Sequence, residues 1–245
     1  MLVALVFLGA LGTALATGLG ALPLAVLRDP GPRTLALADA VAAGVMAAAG
    51  VGLAIEGLRT GVGRTVVGAV LGFLLIVAVR RVLPSGDGVA LAGLRGESAT
   101  RALMVVGVMT AHSFAEGVAV GVAFGGEEAF GWAITLAIAI HNIPEGLAIS
   151  LVLVPRGASV WSAAKWSIAS SLPQPVMAVP AFVFVSVFAV ALPVGLGFAA
   201  GAMLWMVAAE LVPDALREAR PLPVALWGTG AFIAMTLLGA VIVDV

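Results

Sequence analysis

The chain has 245 residues, of which 62% are hydrophobic and 10% are charged, and it contains no cysteine. Soluble domains are about half apolar and a quarter charged, so this composition excludes an ordinary soluble protein and predicts an all-α integral membrane protein. The lack of cysteine excludes disulfides and thiolate metal ligands, and the formal net charge of −1 gives no indication of a nucleic-acid partner.

The elements predicted in chain order are apolar helices long enough to cross a bilayer. A crossing helix needs about 20 mostly apolar residues, and short runs of glycine, proline and charged residues separate the stretches of that length. We therefore predict a single transmembrane domain over residues 1–245, with a flexible glycine-rich loop at 84–100. The eight predicted spans are 2–27, 36–57, 64–83, 101–124, 129–153, 162–189, 191–213 and 222–243.

The distribution of basic residues predicts the orientation of the helices. Ten of the 12 Lys and Arg residues fall at the first, third, fifth and seventh connections between spans, whereas Arg59 and Arg64 lie at the second. Because basic residues in short loops stay in the cytoplasm, both termini are predicted to be extracytoplasmic. The expected protein is a multi-pass protein of the cytoplasmic membrane.

The two histidines of the chain begin the same short pattern. His112 and Glu116 lie in HSFAEG, and His141 and Glu145 lie in HNIPEG. Residues four apart share one face of a helix, so each span directs an imidazole and a carboxylate the same way. Consecutive spans joined by a short turn are antiparallel neighbours, which allows the two pairs to converge.

A convergence of these groups favours a divalent transition metal as the ligand. An ionised side chain at the bilayer centre costs about 2.5–3.5 kcal/mol on insertion scales, and a dication would remove that penalty. Two imidazoles and two carboxylates suit Zn²⁺, and also Fe²⁺, Mn²⁺, Co²⁺ or Cd²⁺. The alternative is structural, with two His–Glu ion pairs that hold the bundle together.

Nearby residues predict close helix contacts and local breaks. Gly117 and Gly146 follow the two glutamates, where small residues let membrane helices approach closely. Pro144 removes a helix hydrogen bond and predicts a local break. The stretch SSLPQP at 170–175 predicts a second break, of the kind that transporters place near a substrate.

Two further residues are candidates for the same cavity. Met46 could offer a thioether, although a core methionine is the alternative interpretation. Glu210 is a buried acid that could be a ligand, a proton carrier or a helix-end group.

At these residues the chain resembles the ZIP (Zrt/Irt-like) metal transporters, most closely their bacterial GufA-like branch. The resemblance implies eight helices, an inverted repeat of helices 1–3 and 6–8 around helices 4 and 5, and inward transport of a divalent metal. It also implies that His112, Glu116 and Glu145 form the metal site with Met46 close by, and that His141 belongs to the pathway. Some relatives dimerise, so a homodimer is a further expectation. The supporting strings are HSFAEGVAVGVAFG, HNIPEGLAIS and GAMLWMVAAELVPDA, with weaker support from GVMAAA and SSLPQP.

Three positions depart from the family pattern. Many relatives hold a second metal with polar or acidic residues after each histidine and with a glutamate in the sixth span. Here these positions are Ser113, Asn142 and Gln174, which cannot supply the negative charge that a second dication needs. We therefore predict one metal rather than two, with these residues as remnants of the second site or part of the pathway.

Two other functions remain open at this stage. The chain could bind an ion for sensing or structure without moving it, as the missing acids suggest. An intramembrane metalloenzyme is the other alternative, but zinc hydrolases of that kind present HExxH, and the order here is HxxxE. We therefore predict a transporter and not an enzyme, although an exporter would share the same site.

Overall fold

The computed structural model describes residues 2–26, 31–82, 90–95 and 97–243. The described chain is almost entirely helical, as the composition predicts, and short turns join the helices. The helices are α1 (Leu2–Leu19), α2 (Pro23–Val26), α3 (Pro32–Val82), α4 (Glu97–Gly126), α5 (Glu128–Leu153), α6 (Val160–Ser171), α7 (Pro173–Val187), α8 (Leu192–Met206), α9 (Val212–Glu218) and α10 (Pro221–Val243).

Seven helical segments of the described chain are long and apolar enough to cross a membrane. This finding confirms the prediction of an all-α membrane protein. The second segment, Pro32–Val79, has 48 residues, and it includes the predicted span 36–57 and most of the predicted span 64–83. The other six are Leu2–Val26, Val105–Gly126, Glu128–Leu153, Val160–Val187, Ala189–Glu218 and Pro221–Val241.

Helix α3 reverses its direction at Gly61. The backbone of Gly61 leaves the helical region, with φ 171° and ψ 97°. A Cβ atom on Gly57 would lie 2.8 Å from the Thr65 side chain, whereas residues eight apart in a straight helix are separated by about 12 Å. Both arms of α3 then run along α8, since Gly50 approaches Leu204 and Gly72 approaches Phe198.

Helices α4 and α5 lie at the centre of the bundle. In their most apolar stretches, 65% and 50% of the residues are buried, compared with 11% in α10. Helix α4 packs against α5, α7 and α8, and α5 packs against α1 as well. Side chains on the facing sides of α4 and α5 are therefore shielded from lipid by other helices.

Glycines allow the helices around α4 and α5 to approach closely, as the sequence predicts. A Cβ atom on Gly146 would lie 1.7 Å from the carbonyl oxygen of Thr17, and one on Gly117 would lie 2.5 Å from the carbonyl oxygen of Gln174. In both cases the added Cβ would clash with a backbone oxygen, so a change of side-chain rotamer could not relieve the contact. They bring α1 against α5 and α7 against α4.

One of the two predicted helix breaks is present. Helix α5 runs without interruption through Pro144, so the break expected there was wrong. Helix α6 does end at Ser171 and α7 begins at Pro173, with Leu172 between them. Proline is favoured at the first position of a helix, because its missing N–H has no helical acceptor there.

Two local features were not expected from the sequence. The predicted loop contains a two-stranded antiparallel ladder of β1 (Ala90–Leu91) and β2 (Leu94–Arg95). Its turn residues Ala92 and Gly93 have φ values of 53° and 85°, and positive φ at both positions is typical of a type I′ hairpin turn. The second feature is a π-helical turn at Val207–Leu211, between α8 and α9.

Candidate metal centre

Four ionisable side chains meet between α4 and α5. His112 and Glu116 lie one turn apart on α4, and His141 and Glu145 lie one turn apart on α5. Each of the four offers one ligand atom, and these atoms all lie within 4.8 Å of one another. The structure therefore brings the two His/Glu pairs together, as the helical spacing predicts.

The contacts within the cluster cross between the helices. His112 Nε2 lies 3.5 Å from Glu116 Oε1 on its own helix and 3.4 Å from Glu145 Oε1 on the other. His141 Nε2 lies in hydrogen-bond contact with Glu116 Oε1, and 3.9 Å from Glu145 Oε1. Each imidazole therefore faces both carboxylates, which a pair of separate His–Glu contacts along each helix would not produce.

The cluster is fully buried, and its polar atoms are incompletely satisfied. The four residues are between 0% and 2% exposed. Among the described residues, neither nitrogen of His112 nor Glu145 Oε1 makes a hydrogen bond. Buried polar atoms normally have partners, and an unpaired one costs about 1–3 kcal/mol. The donor set is thus suited to a ligand that accepts lone pairs from nitrogen and oxygen together.

The spacing of the ligand atoms fits one small dication. In a tetrahedral site with ligands at about 2.0–2.1 Å, neighbouring ligand atoms are about 3.3 Å apart. The separations of 3.4 and 3.5 Å around His112 Nε2 match this value, and the 3.9 Å separation of His141 from Glu145 is close to it. The contact of His141 with Glu116 is shorter and would have to open, and any pair near the 4.8 Å limit of the cluster would have to close.

A second layer of hydrogen bonds surrounds Glu116. Gln174, at the start of α7, donates from Nε2 to Glu116 Oε2. Its Oε1 accepts from Thr13 Oγ1 on α1 at 2.6 Å and from Asn142 Nδ2 on α5 at 3.2 Å. Asn142 and Gln174, two of the departures from the family pattern, are therefore bonded to each other and to α1. Sequence reasoning missed Thr13. The feature that could have pointed to it is a hydroxyl side chain within an apolar span.

The remaining predicted residues lie on three different helical elements. Ser113 is buried on α4 beside His112, and Met46 is completely buried in the apolar core on the first arm of α3. Glu210 is partly buried and lies on the π-helical turn. The side chains that the structure gathers are His112, Glu116, His141 and Glu145, with Asn142 and Gln174 around them. A ligand role for Met46 stays a prediction.

The fold and the cluster define a multi-pass helical membrane protein with a buried His/Glu centre suited to a divalent metal. The profile of the family described as ZIP zinc transporter matches residues 93–243. That match covers more than half of the chain, so the chain belongs to the ZIP zinc transporter family, whose members are transporters rather than enzymes. The resemblance seen in the motifs is confirmed.

Several relatives are named as zinc transporters. A provisionally named zinc transporter of Arabidopsis thaliana is 46% identical over 96% of this chain and 38% of its own length. Zinc transporter GufA of Myxococcus xanthus is 34% identical over 63% of this chain and 61% of its own length. Zinc transporter ZIPB of Bordetella bronchiseptica is 32% identical over 44% of this chain and 35% of its own. The chain thus spans less than two thirds of the length of each.

Proposed function

We propose that the protein moves a divalent transition metal inward across the cytoplasmic membrane. Zn²⁺ is the first candidate substrate, followed by Fe²⁺, Mn²⁺, Co²⁺ and Cd²⁺, because imidazole and carboxylate ligands do not discriminate strongly among them. The observation that carries the proposal is the buried cluster of two imidazoles and two carboxylates, whose ligand atoms lie within 4.8 Å of one another. The family membership supports it.

The proposed ligands are His112, Glu116, His141 and Glu145. They lie on two helices at the centre of the bundle, so transport would require the buried site to open to each side of the membrane in turn. Transport would then proceed by alternating access, with the other helices moving around α4 and α5. Met46 is a further candidate ligand, and Ser113 and Glu210 are candidate residues of the pathway.

The proposed membrane arrangement has eight crossings. The reversal at Gly61 supports counting the two arms of α3 as separate crossings, which adds one to the seven long segments. The basic residues then favour extracytoplasmic termini. We further propose that the first and last three crossings are related as an inverted repeat around α4 and α5, and that the whole chain forms one transport domain.

A cavity supports a route to the cluster from one end of the bundle. It has a volume of about 540 Å³, and its polar lining includes Glu56, Arg59, Thr60 and Glu127. Ala133 and Ala137 of α5 also line it, and Ala137 lies one helical turn before His141 on the same face. In the proposed topology this cavity opens to the outside, where two acids outnumber the one cation, Arg59, among the described lining residues and would attract metal ions.

Reconstitution tests the proposed function. Purified protein in liposomes that contain a zinc-sensitive dye is expected to accelerate zinc influx over protein-free liposomes. Zinc binding to the same preparation in detergent should be measured in parallel by calorimetry. Binding without accelerated influx would contradict transport and favour the alternative of a member that holds an ion without moving it.

The site is proposed to hold one metal ion. The oxygen of Gln174 and the amide nitrogen of Asn142 are already bonded to each other and to Thr13, and these neutral groups cannot balance a second dication. Elemental analysis of zinc-loaded protein, after removal of free metal, is therefore expected to give one zinc per chain. Two zinc ions per chain in the wild type, lowered to one in the Glu145→Gln variant, would contradict this prediction.

A further inference from the structure

A chain of buried hydrogen bonds leads from α1 to the metal cluster. Thr13 Oγ1 donates to Gln174 Oε1 at 2.6 Å, and Gln174 Nε2 donates to Oε2 of Glu116 at 2.5 Å. Thr13 is 1% exposed and the other two side chains are 0% exposed, so these bonds are shielded from bulk solvent. One oxygen of Glu116 is therefore held from outside the two helices that carry the cluster.

The partners of Gln174 determine which way its amide points. Its Oε1 also accepts from Asn142 Nδ2 at 3.2 Å, so both lone pairs of this oxygen are used. A rotated amide would turn its NH₂ group toward the Asn142 donor and its oxygen toward the carboxylate of Glu116. Both new contacts would be repulsive, which leaves the orientation that donates to Glu116.

The hydroxyl of Thr13 also helps to hold the amide of Gln174 in this orientation. Thr13 Oγ1 lies 2.7 Å from the carbonyl oxygen of Ala10 and 2.6 Å from Gln174 Oε1. Both oxygens are acceptors for the single hydroxyl proton, and the contact with Gln174 Oε1 is the shorter of the two. Without this hydroxyl, the amide of Gln174 would be held by Asn142 alone through the longer bond.

These bonds determine which oxygen of Glu116 can bind an ion. Its Oε2 is occupied by Gln174, whereas its Oε1 faces both imidazoles, 3.5 Å from His112 Nε2 and in contact with His141 Nε2. A carboxylate held in this way offers a single oxygen to an ion. Groups that orient ligands in this manner typically change metal affinity 10- to 100-fold when they are removed.

We propose that Thr13 is a positioning residue of the metal site. It acts through Gln174 on Glu116, which it holds ready to bind the ion through one oxygen, and it does not contact the ion itself. This inference rests on the proposed function, since it concerns the same site. Beyond the stability that any buried hydrogen bond contributes, its effect is on metal affinity.

Thr17 provides a matched control for Thr13. It lies one turn further along α1, is also 1% exposed, and its Oγ1 lies 2.8 Å from Ser171 Oγ on α6. Loss of either hydroxyl therefore removes one buried bond between α1 and a neighbouring helix. Only Thr13 is bonded to the amide that holds Glu116.

The test compares zinc affinity among three variants. In Thr13→Val, which keeps the side-chain volume, the Kd for zinc and the KM for uptake are expected to rise roughly 10- to 100-fold, with a smaller change in the rate at saturating zinc. Thr17→Val is expected to stay within about twofold of the wild type, as substitutions away from a site usually do. Thr13→Ser, which restores the hydroxyl, is expected to bind zinc like the wild type.

Three outcomes would overturn the inference. Equal zinc affinities for Thr13→Val and Thr17→Val would do so, and so would a Thr13→Ser variant as weak as Thr13→Val. If the valine variant does not fold, as judged by size-exclusion chromatography in detergent, Thr13→Ala takes its place against Thr13→Ser, and equal affinities overturn the inference. A wild-type protein that binds no zinc would overturn the proposed function as well.

Discussion

Replacement of Glu145 by glutamine is expected to lower zinc uptake at least about a hundredfold. The substitution keeps the shape of the side chain but removes a negative charge that faces both imidazoles, at 3.4 Å from His112 and 3.9 Å from His141. Loss of groups that only orient a metal ligand reduces affinity 10- to 100-fold, so loss of a ligand should exceed that range. Initial rates of zinc influx into proteoliposomes provide the measurement, and His112→Ala should behave in the same way.

Glu218→Gln is the control for the change of charge. Glu218 is an exposed residue at the end of α9, so its neutralisation should leave uptake within about twofold of the wild type. Both variants must reconstitute at the same density, which quantitative blotting of the liposomes establishes. Equal uptake by wild type, Glu145→Gln and His112→Ala would remove the basis for a transport site at this cluster.

Gly146→Ala is expected to destabilise the protein by about 3 kcal/mol or more, at the upper end of the range for overpacked positions. The added Cβ would lie 1.7 Å from the carbonyl oxygen of Thr17, so α1 must move away from α5. A Cβ on Gly20 would likewise lie 2.2 Å from the carbonyl oxygen of Ile143, and the two glycines thus form one contact between backbones. Thermal unfolding in detergent and the yield of monodisperse protein measure the effect.

Gly12→Ala tests whether this effect comes from packing. Gly12 also lies on α1, but a Cβ there would meet no atom within 4 Å. Alanine is favoured over glycine inside a helix by about 1 kcal/mol, so this variant should be as stable as the wild type or more stable. A Gly146→Ala variant that unfolds at the wild-type temperature would contradict the close contact of α1 with α5.

The sequence predicts the His/Glu cluster well because its residue types are themselves unusual in a membrane-spanning segment. Ionisable residues are rare in apolar spans, and the spacing of four residues fixes which of them share a helix face. His112 with Glu116 and His141 with Glu145 could therefore be paired from the sequence alone. The antiparallel arrangement of consecutive spans was sufficient to bring the two pairs together.

The surroundings of the cluster were less accessible to sequence reasoning. Asn142 and Gln174 were interpreted as remnants of a second metal site, but the residue that bonds to both is Thr13, more than a hundred positions away in the chain. The hydroxyls of Thr13 and Thr17, one turn apart in an apolar helix, do not reveal their partners, because threonine often bonds to its own helix backbone. The partner of each is decided by how α1 packs, which depends on long-range contacts.

Backbone details also depended on tertiary packing. Pro144 was expected to break α5, yet the helix continues through it; neighbouring helices can hold a proline-containing helix together in a membrane. The hairpin turn at Ala92 and Gly93 was missed because it lacks the Asn-Gly pair that usually announces such a turn. At both places the backbone conformation differs from what the local residue types alone predict.

The reversal at Gly61 determines whether the number of crossings is odd or even. As a single crossing, the 48-residue segment Pro32–Val79 would be about 72 Å long, more than twice the thickness of a hydrocarbon core. In the proposed topology it folds back on itself and returns to the face of the membrane from which it came. In the proposed topology α1 and α10 then begin and end on one common face, so reporter tags fused at either end would meet the same compartment.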